Sequence, residues 1–170
     1  MDQSFQTAIK QQVLQKLDEL EIDYQELQHE AITTVAEGKL IAQAQGAFCC
    51  KTLLLKSKKN FYLLMLPADK RLTSKNVSKF LNCGHLSFAT AEELKEKLST
   101  FPGAVSVLGL MFNAQKDVQV LIDFEVLEHS HIDCHPCINN SSLKIATQDI
   151  THKWLPFLGF NWIVIHLESA

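Results

Sequence analysis

The sequence predicts an α/β fold of the α+β kind, built on a mixed sheet, and three observations predict it. Two Leu-rich apolar runs flank the basic turn Ser57-Lys58-Lys59-Asn60, so residues 49–66 read as a β-hairpin buried deeply enough to sit at the centre of a sheet. Helical and strand-like stretches alternate irregularly elsewhere, and a hairpin excludes an all-parallel sheet. The length of 170 residues, with 46% hydrophobic and 21% charged side chains, suits one compact domain, residues 1–170, with a core of its own.

Taken in order, residues 5–20 place Ile9, Val13, Leu17 and Leu20 at helical spacing among Gln and Lys, which predicts an amphipathic helix packed on the core. Ile22 to Gln28 alternates and predicts a strand. Thr34-Val35-Ala36-Glu37 has capping-box spacing and introduces a short helix through Ala44 that ends at Gly46. After the hairpin, Pro67 breaks the second strand, and Thr73 can cap a helix over Val77, Phe80 and Leu81 that stops near Asn82-Cys83-Gly84.

Leu86 to Ala89 predicts a short strand, and Thr90-Ala91-Glu92-Glu93 a second capping box whose helix reaches Leu98. Phe101-Pro102-Gly103 is a turn, because proline and glycine together stop helix and strand alike. An apolar stretch punctuated by glycine, Ala104 to Leu110, follows. Val118 to Phe124 alternates as a strand, and His131 to Cys134 reads as another. A helix from Asp149 to Leu158 and an apolar strand from Trp162 to Leu167 close the chain, the strand's β-branched content suiting a buried position.

Composition narrows the function classes. No apolar run of membrane-spanning length and no secretory signal is present, so a cytoplasmic protein without a membrane partner is expected. Five cysteines, two of them adjacent at Cys49-Cys50, make a poor disulfide framework and fit a reducing compartment. The net charge is −3, but it is unevenly spread: residues 51–79 carry +7 and the remainder −10. Such a run is either a solvated face or a local patch for a polyanion.

Two stretches carry residue types fit for chemistry. His129, His131, Cys134, His135 and Cys137 are possible zinc ligands, but outside this stretch there is no second Cys-x-x-Cys or His-x-x-x-His to complete a structural site, so no metal or other cofactor is assigned. A redox role for Cys134 and Cys137 is weaker still, since Pro136 lies between them in a loop rather than at a helix start. Residues 103–109, rich in small side chains, could let a substrate approach backbone N–H groups. Lys51, opening the first hairpin strand after Phe48-Cys49-Cys50, reads two ways: a lysine snorkelling at a strand end, or an ammonium held by a rigid strand and aimed into a pocket. There is no Gly-x-Ser-x-Gly elbow, P-loop or dinucleotide fingerprint.

The sequence resembles the prolyl-tRNA editing proteins, free-standing aminoacyl-tRNA deacylases of the ProX/YbaK type that are similar to the editing domain of bacterial prolyl-tRNA synthetase. Leu20-Glu21-Ile22-Asp23-Tyr24 with His29, Thr34-Val35-Ala36-Glu37, Lys51-Thr52-Leu53-Leu54-Leu55-Lys56 and Leu86-Ser87-Phe88-Ala89 match the family's motifs in order. Pro102-Gly103-Ala104-Val105-Ser106, Leu108-Gly109-Leu110 and His135-Pro136-Cys137-Ile138-Asn139 continue the match to near the end of the chain.

This resemblance implies a largely antiparallel, curved or barrel-like sheet flanked by helices. It also implies trans-editing hydrolysis of mischarged tRNA(Pro), above all Ala-tRNA(Pro), at the 3'-terminal adenosine. Lys51 would contact the terminal phosphate and ribose, and the backbone amides after Gly103 would hold the ester carbonyl. His135 would form a wall of the amino-acid pocket with Asn139 nearby, and Ser106 and Val35 would complete it. Lys56, Lys58, Lys59, Lys70, Arg71 and Lys75 would cradle the acceptor stem. Partners implied are mischarged tRNA(Pro) and prolyl-tRNA synthetase, for a monomer or weak dimer. Val107 stands where the family's loop closes with proline, which implies a less rigid loop; Glu30-Ala31 replaces a frequent Pro-Pro, and Thr52 an Asn. These departures leave open cysteine or serine as the amino acid removed, or a tRNA-binding module without catalysis.

Overall fold

In the computed structural model, which describes residues 1–168, the hairpin is the spine of the molecule. Strands β2 (Cys50–Ser57) and β3 (Asn60–Pro67) pair antiparallel from Cys50↔Pro67 to Ser57↔Asn60, leaving Lys58 and Lys59 as a two-residue turn with Lys58 in the left-handed region at φ 55°. They lie inside a five-stranded sheet of order β4-β2-β3-β5-β8, with β4 (Ser87–Phe88) on one edge and β8 (Trp162–Ile165) on the other. Strand β5 (Val118–Asp123) runs parallel to β3 and β8, so this sheet is mixed. A second sheet, β1-β7-β6, is antiparallel throughout. It comprises β1 (Tyr24–Gln28), β6 (His131–Cys134) and β7 (Ser141–Ala146). Neither sheet closes into a barrel, which corrects the barrel-like alternative.

Both faces of the larger sheet are buried, which explains the unbroken apolar run of β3. Phe61, Leu63 and Met65 face the main core, which fills the space between the sheets and the helices; Tyr62, Leu64 and Leu66 face a smaller cluster around Val77, Leu86 and Ile165. Helix α1 (Gln3–Glu19) delivers Ile9, Val13 and Leu17 to the main core, three fully spaced turns of one face. Both predicted capping boxes form, Thr34 with Glu37 at the start of α2 (Val35–Gln45) and Thr90 with Glu93 at the start of α4 (Ala91–Leu98). Gly46 ends α2 in the left-handed conformation at φ 66°.

Helix α3 (Ser74–Leu81) begins after Thr73, but the Thr73 side chain makes no cap bond, and Phe80 is exposed rather than packed. Residues 107–112 form a 3-10 helix, and α5 (Phe124–Leu127) and β7 are elements that the sequence pattern did not announce. The last helical stretch starts as α6 (Thr147–Asp149), widens to a π-turn over Ile150–Trp154 and ends as α7 (Leu155–Phe157). Strand β8 is an edge with Ile163 exposed, not the buried strand expected. Among the described residues, no helix is long and apolar enough to cross a membrane.

Candidate active site

The two sheets meet at Phe48, which forms a parallel bridge with Ile132 and accepts the amide of Asp133 at 3.1 Å. Beside this seam lies a cavity of about 620 Å³. It is walled by the approach to α2, the start of β2, the β4–α4 segment, the 102–106 loop and the end of β6 with the loop after it, with Ala68 beyond β3 adding to the lining. Lys51, Gly103, Ser106, His135, Asn139 and Val35, scattered over a hundred residues of sequence, all line it.

Lys51 is half-buried at the start of β2 and, among the described residues, has no ion-pair or hydrogen-bond partner. Burial holds its ammonium below the ordinary lysine value, and the nearby Asp69 carboxylate, itself paired with Lys39 at 2.7 Å, pulls only weakly the other way. Lys51 thus lies on a strand in the wall of the hollow, with its ammonium partly desolvated.

The 102–106 loop is built to present amides. Pro102 and Gly103 are the centre of a turn closed by Ala104 N–H donating to Phe101 O at 3.0 Å, and Gly103 takes φ 93°, where a side chain would be strained. The turn uses up the Ala104 amide. Those of Gly103, Val105 and Ser106 donate to no protein acceptor among the described residues, and all three residues line the cavity. The Thr100 hydroxyl reaches Ala104 O at 2.8 Å and Cys137 O at 3.2 Å, tying the loop to the far wall. The Ser106 hydroxyl accepts Leu108 N–H at 3.1 Å, so its oxygen caps the 3-10 helix rather than reaching into the hollow.

Val107, where a flexible loop was expected, is fully buried, and its carbonyl accepts the Trp154 indole N–H at 3.0 Å. Core packing here supplies the rigidity that a proline ring would. Gly109 has a packing role as well: a Cβ there would stand 2.8 Å from Leu98 O.

His135 directs Nδ1 at Ser141 O, 3.1 Å away, so that nitrogen carries the proton and Nε2 is left as an acceptor. Burial, opposed by that hydrogen bond, pushes its pKa down and keeps the ring neutral. Asn139 exchanges backbone and side-chain bonds with Ile32, at 2.9 Å and 3.3 Å, and so fixes the approach to α2. Val35, the first residue of α2, and Phe88 of β4 both line the cavity and are exposed, Phe88 at 64%.

Three cysteines line the cavity, and none is a thiolate. Burial pushes Cys49 up to about 11 and holds Cys50 and Cys134 higher still. Among the described residues, no three His, Cys, Asp or Glu side chains converge as metal ligands, because the 129–137 stretch splits its candidates between strand faces. His129 instead stacks on Phe48 at 3.6 Å.

The basic run is not one patch. Lys70 is only 5% exposed, bound to Asp123 at 2.9 Å, Glu125 at 2.7 Å and Leu167 O at 2.7 Å; it is an internal ion pair, which corrects its placement on a nucleic-acid surface. Lys56 pairs with Glu93 and lies over the Phe61 ring. Lys58 and Lys59 are exposed at the hairpin turn, roughly 23 Å along β2 from Lys51 at the usual strand rise. Arg71 and Lys75 are exposed beyond the opposite end of β3, just after Ala68, a cavity residue.

Asp133, a residue of β6 that the sequence reading passed over, also lines the cavity. A lone acid alternating with Ile132 and Cys134 on an apolar strand was the signal that could have found it.

Residues 29–152 match the family model of the aminoacyl-tRNA editing domain. The chain is 29% identical over 143 residues to the prolyl-tRNA editing protein ProX of Acetoanaerobium sticklandii, covering 83% of this chain and 87% of that protein. It is 30% identical over 166 residues to prolyl-tRNA synthetase associated domain-containing protein 1 of Xenopus laevis, covering 94% and 98%. A solved structure described as a candidate trans-editing enzyme for prolyl tRNA synthetase superposes with a TM-score of 0.72 at 19% identity, over 94% of this chain and 98% of the other, and so shares its fold.

Proposed function

The chain belongs to the family of aminoacyl-tRNA editing domains, and from that premise we propose that it hydrolyses mischarged tRNA(Pro) in trans, releasing the wrong amino acid, alanine before others, from the 3'-terminal adenosine. Residues 1–170 act in this proposal as one deacylase domain. The observation that carries it is an unpaired Lys51 ammonium sharing one cavity with three unused amides of the 103–106 loop.

Ester hydrolysis needs water to attack the carbonyl carbon, a tetrahedral intermediate to be stabilised, and the ribose oxygen to leave with a proton. Amides at Gly103, Val105 and Ser106 suit the oxyanion of that intermediate, since they are preorganised and have no competing acceptor. Lys51 suits the negative charge of the terminal phosphate as a compact point charge on a rigid strand. His135, neutral and fixed through Nδ1, suits a wall that offers one acceptor. With every cavity thiol protonated, the reading uses no covalent intermediate; positioning an already activated ester beside water supplies the rate.

A second pocket is useful because one site discriminates poorly between apolar side chains that differ by a methylene or two, at about 1–3 kcal/mol each. In this reading the pocket admits alanine and rejects the bulkier proline. Arg71 and Lys75, with Lys58 and Lys59 farther out, remain the candidates for acceptor-stem phosphates, and prolyl-tRNA synthetase the candidate donor of the substrate.

The test is a deacylation panel on tRNA(Pro) charged with alanine, cysteine, serine or proline. Alanine release fastest, with proline retained, is expected. Lys51→Ala should slow release by about 10- to 100-fold, the worth of a charge-assisted contact, with the fold kept. Release at the wild-type rate by Lys51→Ala, or no release of any amino acid, would refute the reading; gel-shift binding without turnover would favour a non-catalytic tRNA-binding module.

A further inference from the structure

We propose that the Asp133 carboxylate is the subsite for the α-ammonium of the aminoacyl ester, so that the cavity selects substrates whose amine is free. The inference rests on the deacylase reading and adds the group that reads the amine.

Asp133 is 8% exposed, and its Oδ1 is buried with no donor among the described residues. Its main chain is fully used: the amide donates to Phe48 O at 3.1 Å and the carbonyl accepts the Cys50 thiol at 3.4 Å, so the backbone that carries the side chain is fixed. Along β6, Ile132 and Cys134 point into the main core, which puts Asp133 on the opposite face with Lys144 across the ladder. Lys144 does not pair with it; that ammonium reaches toward Gly46 instead.

Ser142 is the remaining donor nearby: its hydroxyl opposes the burial of the Asp133 carboxyl only in part, because its hydrogen is shared with His29. His29 gives Nδ1–H to Glu30 O at 2.7 Å, so in the neutral ring Nε2 is an acceptor, and the Ser142 hydroxyl 2.9 Å away donates to it. Burial without a cation makes the ionised carboxylate costly and raises its pKa to about 7. A ligand that brings its own cation removes that cost.

The substrate has matching charges. Its phosphodiester end is anionic and its amino end cationic, with the ester carbonyl two bonds from the amine. The cavity holds Lys51 and Asp133 as separate charges of opposite sign, with the unused amides of the 103–106 loop in the same lining. Neither charge is neutralised by the other, since Asp69 is the one carboxylate that acts on Lys51.

The experiment uses 3'-deoxy-3'-(L-alanylamino)adenosine, a stable amide analogue of the acylated nucleoside, and its N-acetyl derivative, titrated calorimetrically into the full chain and into Asp133→Asn. Wild type should bind the free amine about 10- to 100-fold more tightly, and Asp133→Asn should narrow that ratio to about twofold while leaving the acetylated form unaffected. A ratio near one in wild type, an unchanged ratio in Asp133→Asn, or an equal loss for both ligands overturns the inference; the last would mark a general or structural role. Hydrolysis of alanyl- and N-acetylalanyl-tRNA(Pro), run in parallel, separates the two levels. Hydrolysis of both at equal rates overturns the amine subsite alone, whereas no hydrolysis and no binding of either form overturns the deacylase reading and this inference with it.

Discussion

Replacing Lys70 with alanine should cost about 3–5 kcal/mol of stability while leaving tRNA affinity unchanged at a permissive temperature. The magnitude follows from what is left behind. Asp123 is fully buried, and after the change its carboxylate keeps only the Glu125 amide at 3.0 Å in place of an ammonium at 2.9 Å. Glu125 and the Leu167 carbonyl lose their contacts with the ammonium as well. For a chain of this size each kcal/mol is worth about 2–4 °C, so the melting temperature should fall by roughly 6–20 °C. Burial works against the lysine's charged form, but the bonds to Glu125 and Asp123 outweigh it and raise its pKa. That contribution is therefore complete below the unfolded lysine value near pH 10.4 and is lost only as pH climbs through the higher folded value, so the wild-type melting curve should show no loss from this pair between pH 7 and pH 10. Differential scanning calorimetry and filter binding at low temperature check the two halves. An Lys70→Ala protein that melts with the wild type yet binds tRNA poorly would refute the buried-pair argument and return Lys70 to the nucleic-acid surface.

Other perturbations separate structure from chemistry. Lys51→Met should leave the melting temperature level or slightly raised, since a desolvated, unpaired ammonium is removed, while alanine release falls about 10- to 100-fold; a large loss of stability would mean that Lys51 is a structural residue. Gly103→Ala meets no atom within 4 Å but must adopt φ 93°, so it should cost about 1–2 kcal/mol in urea unfolding and slow deacylation by displacing the adjacent amides. Gly109→Ala drives a methyl to 2.8 Å from the Leu98 carbonyl and should destabilise by about 1–3 kcal/mol, with activity lost only in proportion to unfolded protein. Burial pushes the Asp133 carboxyl up to about 7, whereas an unfolded chain releases that proton near pH 4; unfolding thus sheds a proton between those values, and stability falls by up to about 4 kcal/mol as pH rises through that window. Urea titrations at pH 5 and pH 8 should show this slope in the wild type and a flatter one in Asp133→Asn.

The elements legible in the sequence are those whose causes are local. Thr34 with Glu37 and Thr90 with Glu93 close their boxes within four residues, and the Leu-rich runs around Lys58-Lys59 encode a hairpin without outside help. Strand β7 was not legible because its serines look like loop residues; they tolerate the centre of a sheet only because Ser141 donates to Glu26 at 2.8 Å and Ser142 meets His29, more than a hundred residues away. Lys70 failed as a surface residue for the same reason, its acceptors arriving from residues 123, 125 and 167. The six residues that line the cavity together could be picked out by family motif, yet nothing in their order shows that the Ala104 amide is consumed by its own turn while its neighbours stay unused. Hydrogen-bond accounting in three dimensions decides that.

Lys51 and Asp133 are both ionisable groups set where folding alone would not put them. A protein selected only for stability would pair them, exchange them for apolar side chains, or turn them to water, and here neither has a partner in the lining they share. Their separation along that lining has a cost that the rest of the fold offsets: Val107 anchored to Trp154, Thr100 bridging to Cys137 O, and Asn139 holding the approach to α2. Rigid support around two unsatisfied opposite charges is the arrangement expected of a site that gains energy only when a dipolar ligand enters, because a flexible wall would let the charges collapse onto nearby partners first. In the proposed reaction the same rigidity would hold the unused amides in place, so that binding and transition-state stabilisation would draw on one preorganised frame.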